Sequence, residues 1–511
     1  MRAAVIDIGS NSTKLVIGEN VGEEIKIIES LKNVIGIGQN TFYRGRISQE
    51  IFNQLIGVLE KYKKLINEYE VQELKVIATT AVREAENQSI LLDTIRRKTG
   101  FEVEVLNVGD VVYYIDAYLS YKLKKAYPIN EKNLLIIELG AGSLDISLLE
   151  KGFTLMSFGI PIGTLRLKQF KSLVDGSQRE TYEALEDLVE KEILTVKRTL
   201  HPIKVDDIIL IDESYSQALD RVLPNKKKDS SFFIFTSREA KQFLSRVTSG
   251  NLDDLAQKYH LSPDITDSID CYGVIVNKIF KLIQRKAYYI LQTSLSQAIL
   301  ANILFGVELS KKYNKVNQLV SVARFLNRKF DTDNKHTRQV ANLSEELFHH
   351  FKGILGLKDE TLLYLVLAAY LHNIGLFLNN RAHHKHTEYM VNALSLFRLT
   401  EQESRIIACI ARYHRKAMPQ RSHYLYNTLS TPEQILIQKL ASILRVANAL
   451  DHSHRQKVKK MEVKMDQSTA VVLNVESVES FALEKVCFAD MKQLFEEISG
   501  HQLSLAVKKP V

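Results

Sequence analysis

The chain has 511 residues, 45% of them hydrophobic and 25% charged, which excludes disordered and fibrous classes and exceeds what one hydrophobic core supports. Its net charge of +8 favours an anionic partner, yet no helix-turn-helix, zinc-finger or RNA-binding aromatic signature points to nucleic acid. Cys271, Cys409 and Cys487 lie far apart without a CxxC pair, so they predict small core hydrophobes rather than disulfides or a zinc site.

The N-terminal apolar run breaks at Asp7, and no later segment reads as long enough to span a bilayer, so a cytoplasmic protein is expected. AAVIDIG and TKLVIGE predict a β-hairpin turning at Gly9-Ser10-Asn11-Ser12, and EIKIIESL predicts a third strand. From Ser48 to Tyr69, Ile51, Leu55, Val58, Leu59 and Tyr62 recur at helical spacing, ahead of a buried strand KVIATT. The same order then repeats. LLIIELGAGSLDISLLEKG makes a second hairpin around Gly140-Ala141-Gly142-Ser143, FTLMSFGI another strand, and a helix runs from about Tyr182 to Leu200. Asp264 to Phe305 reads as helical throughout. Residues 315 to 460 read as amphipathic helices with histidines at their ends and no strand. KKMEVKMD and AVVLNVE return to strand alternation, Phe481 to Ile498 reads as one helix, and HQLSLAV closes as a strand. The domains expected are residues 1–125 and 126–310, two α/β phosphate-binding domains, then 311–460, helical, and 461–511, a small α/β unit.

A duplicated hairpin matters because two such turns can face each other and aim backbone amides at one polyanion. Gly9, Ser10, Asn11 and Ser12 supply one set of amides and hydroxyls, and Gly140, Gly142 and Ser143 the other. Thr79, Thr80 and Arg83 follow a strand and open a helix, so they too can converge on an anion, and Arg166 follows a turn as a further phosphate contact. Asp7, at a strand end, suits a hydrated Mg²⁺ ion, which takes one or two carboxylates and keeps waters.

DIGSNSTKLVI from Asp7 to Ile17, ATTAVREAEN from Ala78, ELGAGSLD from Glu138 and PIGTLRL from Pro161 together resemble, in order, the phosphate loops of the exopolyphosphatase and guanosine pentaphosphate phosphatase (Ppx/GppA) family. LHNIG from Leu371, HHKHTEYMV from His383, RYHRK from Arg412 and LRVANALD ending at Asp451 extend the likeness along the chain. The resemblance implies a duplicated actin-like (ribonuclease H-like) ATPase fold with an HD-type helical domain behind it. It implies a Mg²⁺-dependent hydrolase that releases terminal phosphate from inorganic polyphosphate or guanosine pentaphosphate, and a homodimer with a lengthened basic cleft. The catalytic carboxylates implied are Asp145, where the family has glutamate, and Asp110, in LNVGDVVYYIDAY, where the family has a Ser-Gly-x-Glu-Glu-Ala stretch. Two further departures stand at IDESYSQ, where Asp212 and Glu213 replace a glycine-rich loop, and at Leu300 and Ala301, which replace an Arg-Glu pair. These departures keep open a regulatory protein that binds polyphosphate or guanosine tetra- or pentaphosphate with little turnover; a kinase lacks support because no adenosine-pocket glycine motif follows Ile211. HD hydrolases hold metal with residues placed like His336, His372 and Asp451, but Asn373 stands for the bridging aspartate, and His383, His384, His386 and His414 read as a packed polar surface.

Overall fold

A computed structural model describes residues 1–509 apart from 124–126, 201–202, 224–227, 230–231, 250, 286–287, 331, 395, 397–398, 416–417 and 466–469. It divides into two compact units, Met1–Asn314 and Lys315–Val511.

The first unit carries two sheets built to one plan. In the first sheet, β1 (Arg2–Ile8), β2 (Ser12–Val21) and β3 (Glu24–Val34) form an antiparallel meander, and β4 (Glu73–Ala78) and β5 (Val103–Val105) add in parallel beyond β1. The second sheet repeats this with β6 (Asn133–Leu139), β7 (Leu144–Glu150), β8 (Phe153–Ile160) and β9 (Asp207–Ile211). It extends through β10 (Lys228–Asp229), β11 (Phe232–Phe235) and β12 (Tyr288–Leu291), giving the order β10-β11-β12-β9-β6-β7-β8. β1 and β6 lie mid-sheet, so they are apolar on both faces: Ala3, Ala4, Val5, Ile6 and Ile8 are fully buried, as are Leu134 and Leu135. The amphipathic stretch after Ser48 forms the helix Gln49–Glu68, with the Ser48 hydroxyl capping the amide of Ile51. Its apolar stripe, Phe52, Leu55, Leu59 and Tyr62, packs on the first sheet with Ile6, Ile8 and Leu15.

Asp264 to Phe305 is not helical throughout. The helices Pro263–Thr266 and Ile269–Leu282 are followed by β12, which pairs in parallel with β9 before the helix Leu295–Lys312 begins. Tyr288, Tyr289 and Ile290 are aromatic and β-branched, and a four-residue buried run has no period that separates strand from helix. Leu300 and Ala301 are wholly buried on that last helix, and a Cβ on Gly18 of β2 would come within 2.9 Å of Leu300 Cδ2. Their positions are packing positions, which accounts for the missing charged pair.

In the second unit the helices Asn334–Leu355, Leu362–Leu371, His383–Ala393, Glu401–Arg412 and Thr431–Leu450 enclose a core that includes Leu365, Phe348, Ile407 and Leu444. The stretch Asp359–Phe377 is long and apolar enough to cross a membrane, contrary to the sequence reading, but more than half of it is buried in this core. β13 (Lys460–Met465), β14 (Ala470–Glu476) and β15 (Gln502–Lys508) form a small mixed sheet. The helix expected over Phe481 to Ile498 breaks at Lys492 into Ala482–Met491 and Gln493–Ser499. Asp466 of KKMEVKMD lies outside the described residues. Cys271 and Cys409 are buried as expected, whereas Cys487 is half-buried.

Candidate active site

The two hairpin turns are the same object twice. Gly9 N donates to Ser12 O at 3.1 Å, and Gly140 N donates to Ser143 O at 2.9 Å. Each loop is anchored by its carbonyl edge. Ser10 O accepts from Gly38 N, and Asn11 O from Ile35 N and Gly36 N; Gly140 O accepts from Thr164 N, Ala141 O from Leu165 N. That leaves the amide edge for a ligand. Gly163 must lack a side chain, since a Cβ would stand 2.2 Å from the Ala141 carbonyl oxygen.

The loops also face each other. A Cβ on Gly142 would lie 2.8 Å from Ser10 Oγ, and Thr80 Oγ1 shares a hydrogen bond of 2.9 Å with Ser143 Oγ. One cleft is lined by Gly9 to Ser12, Thr79, Thr80 and Gly140 to Ser143. Asp7, Glu138 and Asp145 line it too, with Asp212, Glu213 and Asp264, against only Lys14 and Lys32 among the described lining residues. The basic cleft implied by the family resemblance is not what these residues form, since six carboxylates meet two lysines among the described lining residues.

The register explains where these charges stand. Asp7 pairs with Lys14 across β1 and β2, and Lys14 with Lys32 across β2 and β3, forming one row on the sheet. The matching row of the second sheet is Glu138, Asp145 and Gly159. Burial pushes Glu138 up to about 8, with Asp145 and Asp7 adding repulsion, and pushes Asp145 up to about 6 against the pull of Arg83. Burial likewise raises Asp7, against the pull of Lys14, and lifts Asp212 to about 6. Asp7 Oδ1, Glu138 Oε2, Asp145 Oδ1 and Asp212 Oδ2 are buried without a hydrogen-bond partner, a costly arrangement unless a cation meets them. Among the described residues no three His, Cys, Asp or Glu side chains are grouped to hold a metal by themselves. That donor set suits an ion that keeps water and takes phosphate oxygens as ligands.

Other predicted residues have different partners. Asp110 belongs to the N-terminal capping box of the helix Val108–Lys122, accepting from Asn107 N at 3.2 Å, and it is not on the cleft lining. Arg83 donates to Leu106 O and Thr80 Oγ1, so it acts on the cleft through Thr80 and its field at Asp145. Arg166 donates to Gly142 O at 2.6 Å, pairs with Glu84 and lies 3.7 Å from the Phe42 ring centroid, holding the second loop from behind. Glu138 and Lys14 were missed as site residues. The hairpin alignment could have found them, because each sits opposite a residue already singled out.

In the helical unit, His336 Nδ1 is 2.9 Å from Asp451 Oδ2, and the His336 and His372 rings lie 5.3 Å apart. His383 and His414 are buried, with Nε2 atoms 3.3 Å apart, so they are core rather than the expected polar surface. Burial holds His372 and His414 well below the usual imidazole range.

A duplicated actin-like α/β scaffold that turns two glycine loops and a set of buried carboxylates into one cleft defines a phosphate-handling protein. Comparison narrows the class. The model of the Ppx/GppA phosphatase family matches residues 16–304, and that of Ppx/GppA phosphatase domain III matches 320–489. The chain belongs to the Ppx/GppA phosphatase family, and by that membership is a phosphate-releasing hydrolase. Exopolyphosphatase 1 of Mycobacterium tuberculosis is 22% identical over 305 residues, covering 59% of this chain and 87% of the relative. A guanosine-5'-triphosphate,3'-diphosphate pyrophosphatase of Aliivibrio fischeri is 19% identical over 466 residues, 88% of this chain and 86% of its own. The fold is shared with an exopolyphosphatase of Cytophaga hutchinsonii (TM-score 0.54, 17% identity, 60% of this chain and 99% of that one). It is shared equally with the Aquifex aeolicus Ppx/GppA family member (TM-score 0.51, 22% identity, 60% and 98%).

Proposed function

We propose that the chain hydrolyses phosphoanhydrides, releasing terminal phosphate from inorganic polyphosphate or guanosine pentaphosphate in the cleft of the first unit. The observation that carries this reading is Asp145, buried beside two facing amide loops with one carboxylate oxygen unpartnered. Gly9 to Ser12 and Gly140 to Ser143 grip the phosphoryl oxygens from opposite sides. Thr80 and Ser143, already joined by a hydrogen bond, set the distance between the grips. Asp145 orients the attacking water and accepts its proton, and a carboxyl raised to about 6 is still ionised near neutral pH. Asp7 and Glu138 would hold Mg²⁺, which when bound would neutralise charge on the transferring phosphoryl group. Ser296 Oγ donates to Asp7 Oδ2 and fixes it for that task.

The test is release of inorganic phosphate from tripolyphosphate and from guanosine pentaphosphate with Mg²⁺. Folded protein that releases none from either overturns the reading. The second reading, a binding regulator, is favoured by the placement of Asp110 off the lining, which leaves Asp145 without the second catalytic carboxylate of the family pattern. Saturable binding of guanosine tetraphosphate with no turnover of either substrate would establish it. The helical unit is an HD-type domain in a structural role: Asn373 replaces the bridging aspartate, and the buried imidazoles pack as core. The four domain divisions and a cytoplasmic location, read from the sequence pattern, complete the proposal together with a homodimer, supported by the family resemblance.

A further inference from the structure

Lys14 and Lys32 stand directly opposite each other on β2 and β3. Two like charges at such a pair, with Cβ atoms roughly 5 Å apart, are destabilising unless neutralised. Asp7 stands opposite Lys14 on β1, and the direct ion-pair partners of both lysines come from the other sheet's side of the unit. Lys14 Nζ lies 2.8 Å from Glu213 Oε2, in the loop after β9, and Lys32 pairs with Asp264 on the helix Pro263–Thr266. All four residues line the cleft. The loop that carries Glu213 is itself held closed, because Asp212 Oδ1 accepts from the amides of Ser214 and Tyr215 at 2.9 and 3.0 Å. Its neighbour Tyr215 is fixed by hydrogen bonds to Thr164 and Ser268 and stacks on Tyr272 at 4.4 Å.

We propose that Glu213 and Asp264 form a two-bridge clasp across the cleft, holding the Lys14–Lys32 pair in reserve until a chain of two or more phosphoryl groups displaces them. This rests on the phosphate-hydrolase reading above and deepens it. The carboxylates stand in for the substrate. A single phosphate can replace one of them, whereas a chain presents adjacent anionic groups to adjacent ammonium groups and releases both bridges. Glu213 and Asp264 then discriminate by substrate length, and they lower affinity for every anion by competing for the same lysines.

Two kinetic comparisons and one binding comparison test this. KM and kcat for magnesium tripolyphosphate are measured in the wild type, Glu213→Gln, Asp264→Asn and the double variant. Affinity for methylenediphosphonate, which cannot be hydrolysed at its bridge, is measured by calorimetry on the same proteins. Each partly exposed bridge removed is expected to lower KM and Kd by about 1.5-fold to fivefold, the range of a surface ion pair. In a Lys14→Gln background the benefit of Glu213→Gln is expected to vanish. A wild type that turns over tripolyphosphate while the variants show unchanged or raised KM and Kd would overturn the clasp alone. Equal benefit with and without Lys14 would do the same, since the effect would then be long-range charge. A folded wild type that neither binds methylenediphosphonate nor releases phosphate would overturn the hydrolase reading, and the clasp with it.

Discussion

The first row of the cleft reads Asp7, Lys14, Lys32, and its counterpart in the second sheet reads Glu138, Asp145, Gly159. The backbone is the same in both, down to the hydrogen bond that closes each turn. The side chains have diverged in charge. Where the first hairpin carries Lys14, proposed to hold an anion, the second carries Asp145, the carboxylate proposed to steer water. The third position follows suit: a Cβ on Gly159 would come within 3.0 Å of Asp145 Oδ1, so the small residue keeps that carboxylate free to face the cleft. On the proposed roles, the duplicated scaffold separates binding from chemistry while both turns keep the same closing hydrogen bond.

The sharpest way to break that division is to exchange Asp145 and Lys14 for neutral residues. Asp145→Asn is expected to lower kcat by about a hundredfold or more with little change in KM, the usual cost of losing a positioned base. Lys14→Gln is expected to raise KM by roughly tenfold with the smaller effect on kcat, the mark of lost uniform binding. The reverse pattern in steady-state kinetics would assign the roles the other way.

Proton linkage distinguishes the carboxylate row from the lysine row as well. Glu138 and Asp145 have folded values raised to about 8 and about 6 from ordinary values of 4.5 and 3.8. Between those limits the native state holds more protons than the unfolded chain, so metal-free stability falls as pH rises through 4 to 8. Thermal melts in chelator are expected to show the first unit losing a few degrees over that range. Added Mg²⁺ restores more at pH 8 than at pH 5. Equal stabilisation at both values would mean that the metal does not meet these carboxylates.

The smallest effect concerns Asp110. Its carboxylate completes a capping box, so Asp110→Ala is expected to cost about 1 kcal/mol in denaturant unfolding. Its kcat should remain far closer to wild type than that of Asp145→Asn. A comparable loss in both would return Asp110 to the chemistry.

Much of the cleft was legible because it lies on hairpins, where glycine, serine and a following alternation announce the turn locally. The long helix near Tyr182 and the repeated order of strands were legible for the same reason. What stayed hidden depends on contacts distant in sequence. Glu213 reaches Lys14 across 199 positions, and no local pattern signals that pairing. Arg166 reads as a phosphate contact until Gly142 O and Glu84 are seen to claim it. Asp110 shows a related ambiguity, since a carboxylate three residues into a helix serves a cap as readily as a substrate. β12 escaped because a four-residue apolar run carries no period of its own.

The buried imidazoles of the helical unit place its weakness at the opposite end of the pH scale from the cleft. His372 and His414 are kept neutral by burial, and the unfolded chain takes up protons on them more readily below pH 6.5. Acidification thus loosens the helical unit while it relieves the crowded carboxylates of the α/β unit, and rising pH does the converse. The pH dependences contributed by these groups therefore run in opposite directions in the two units.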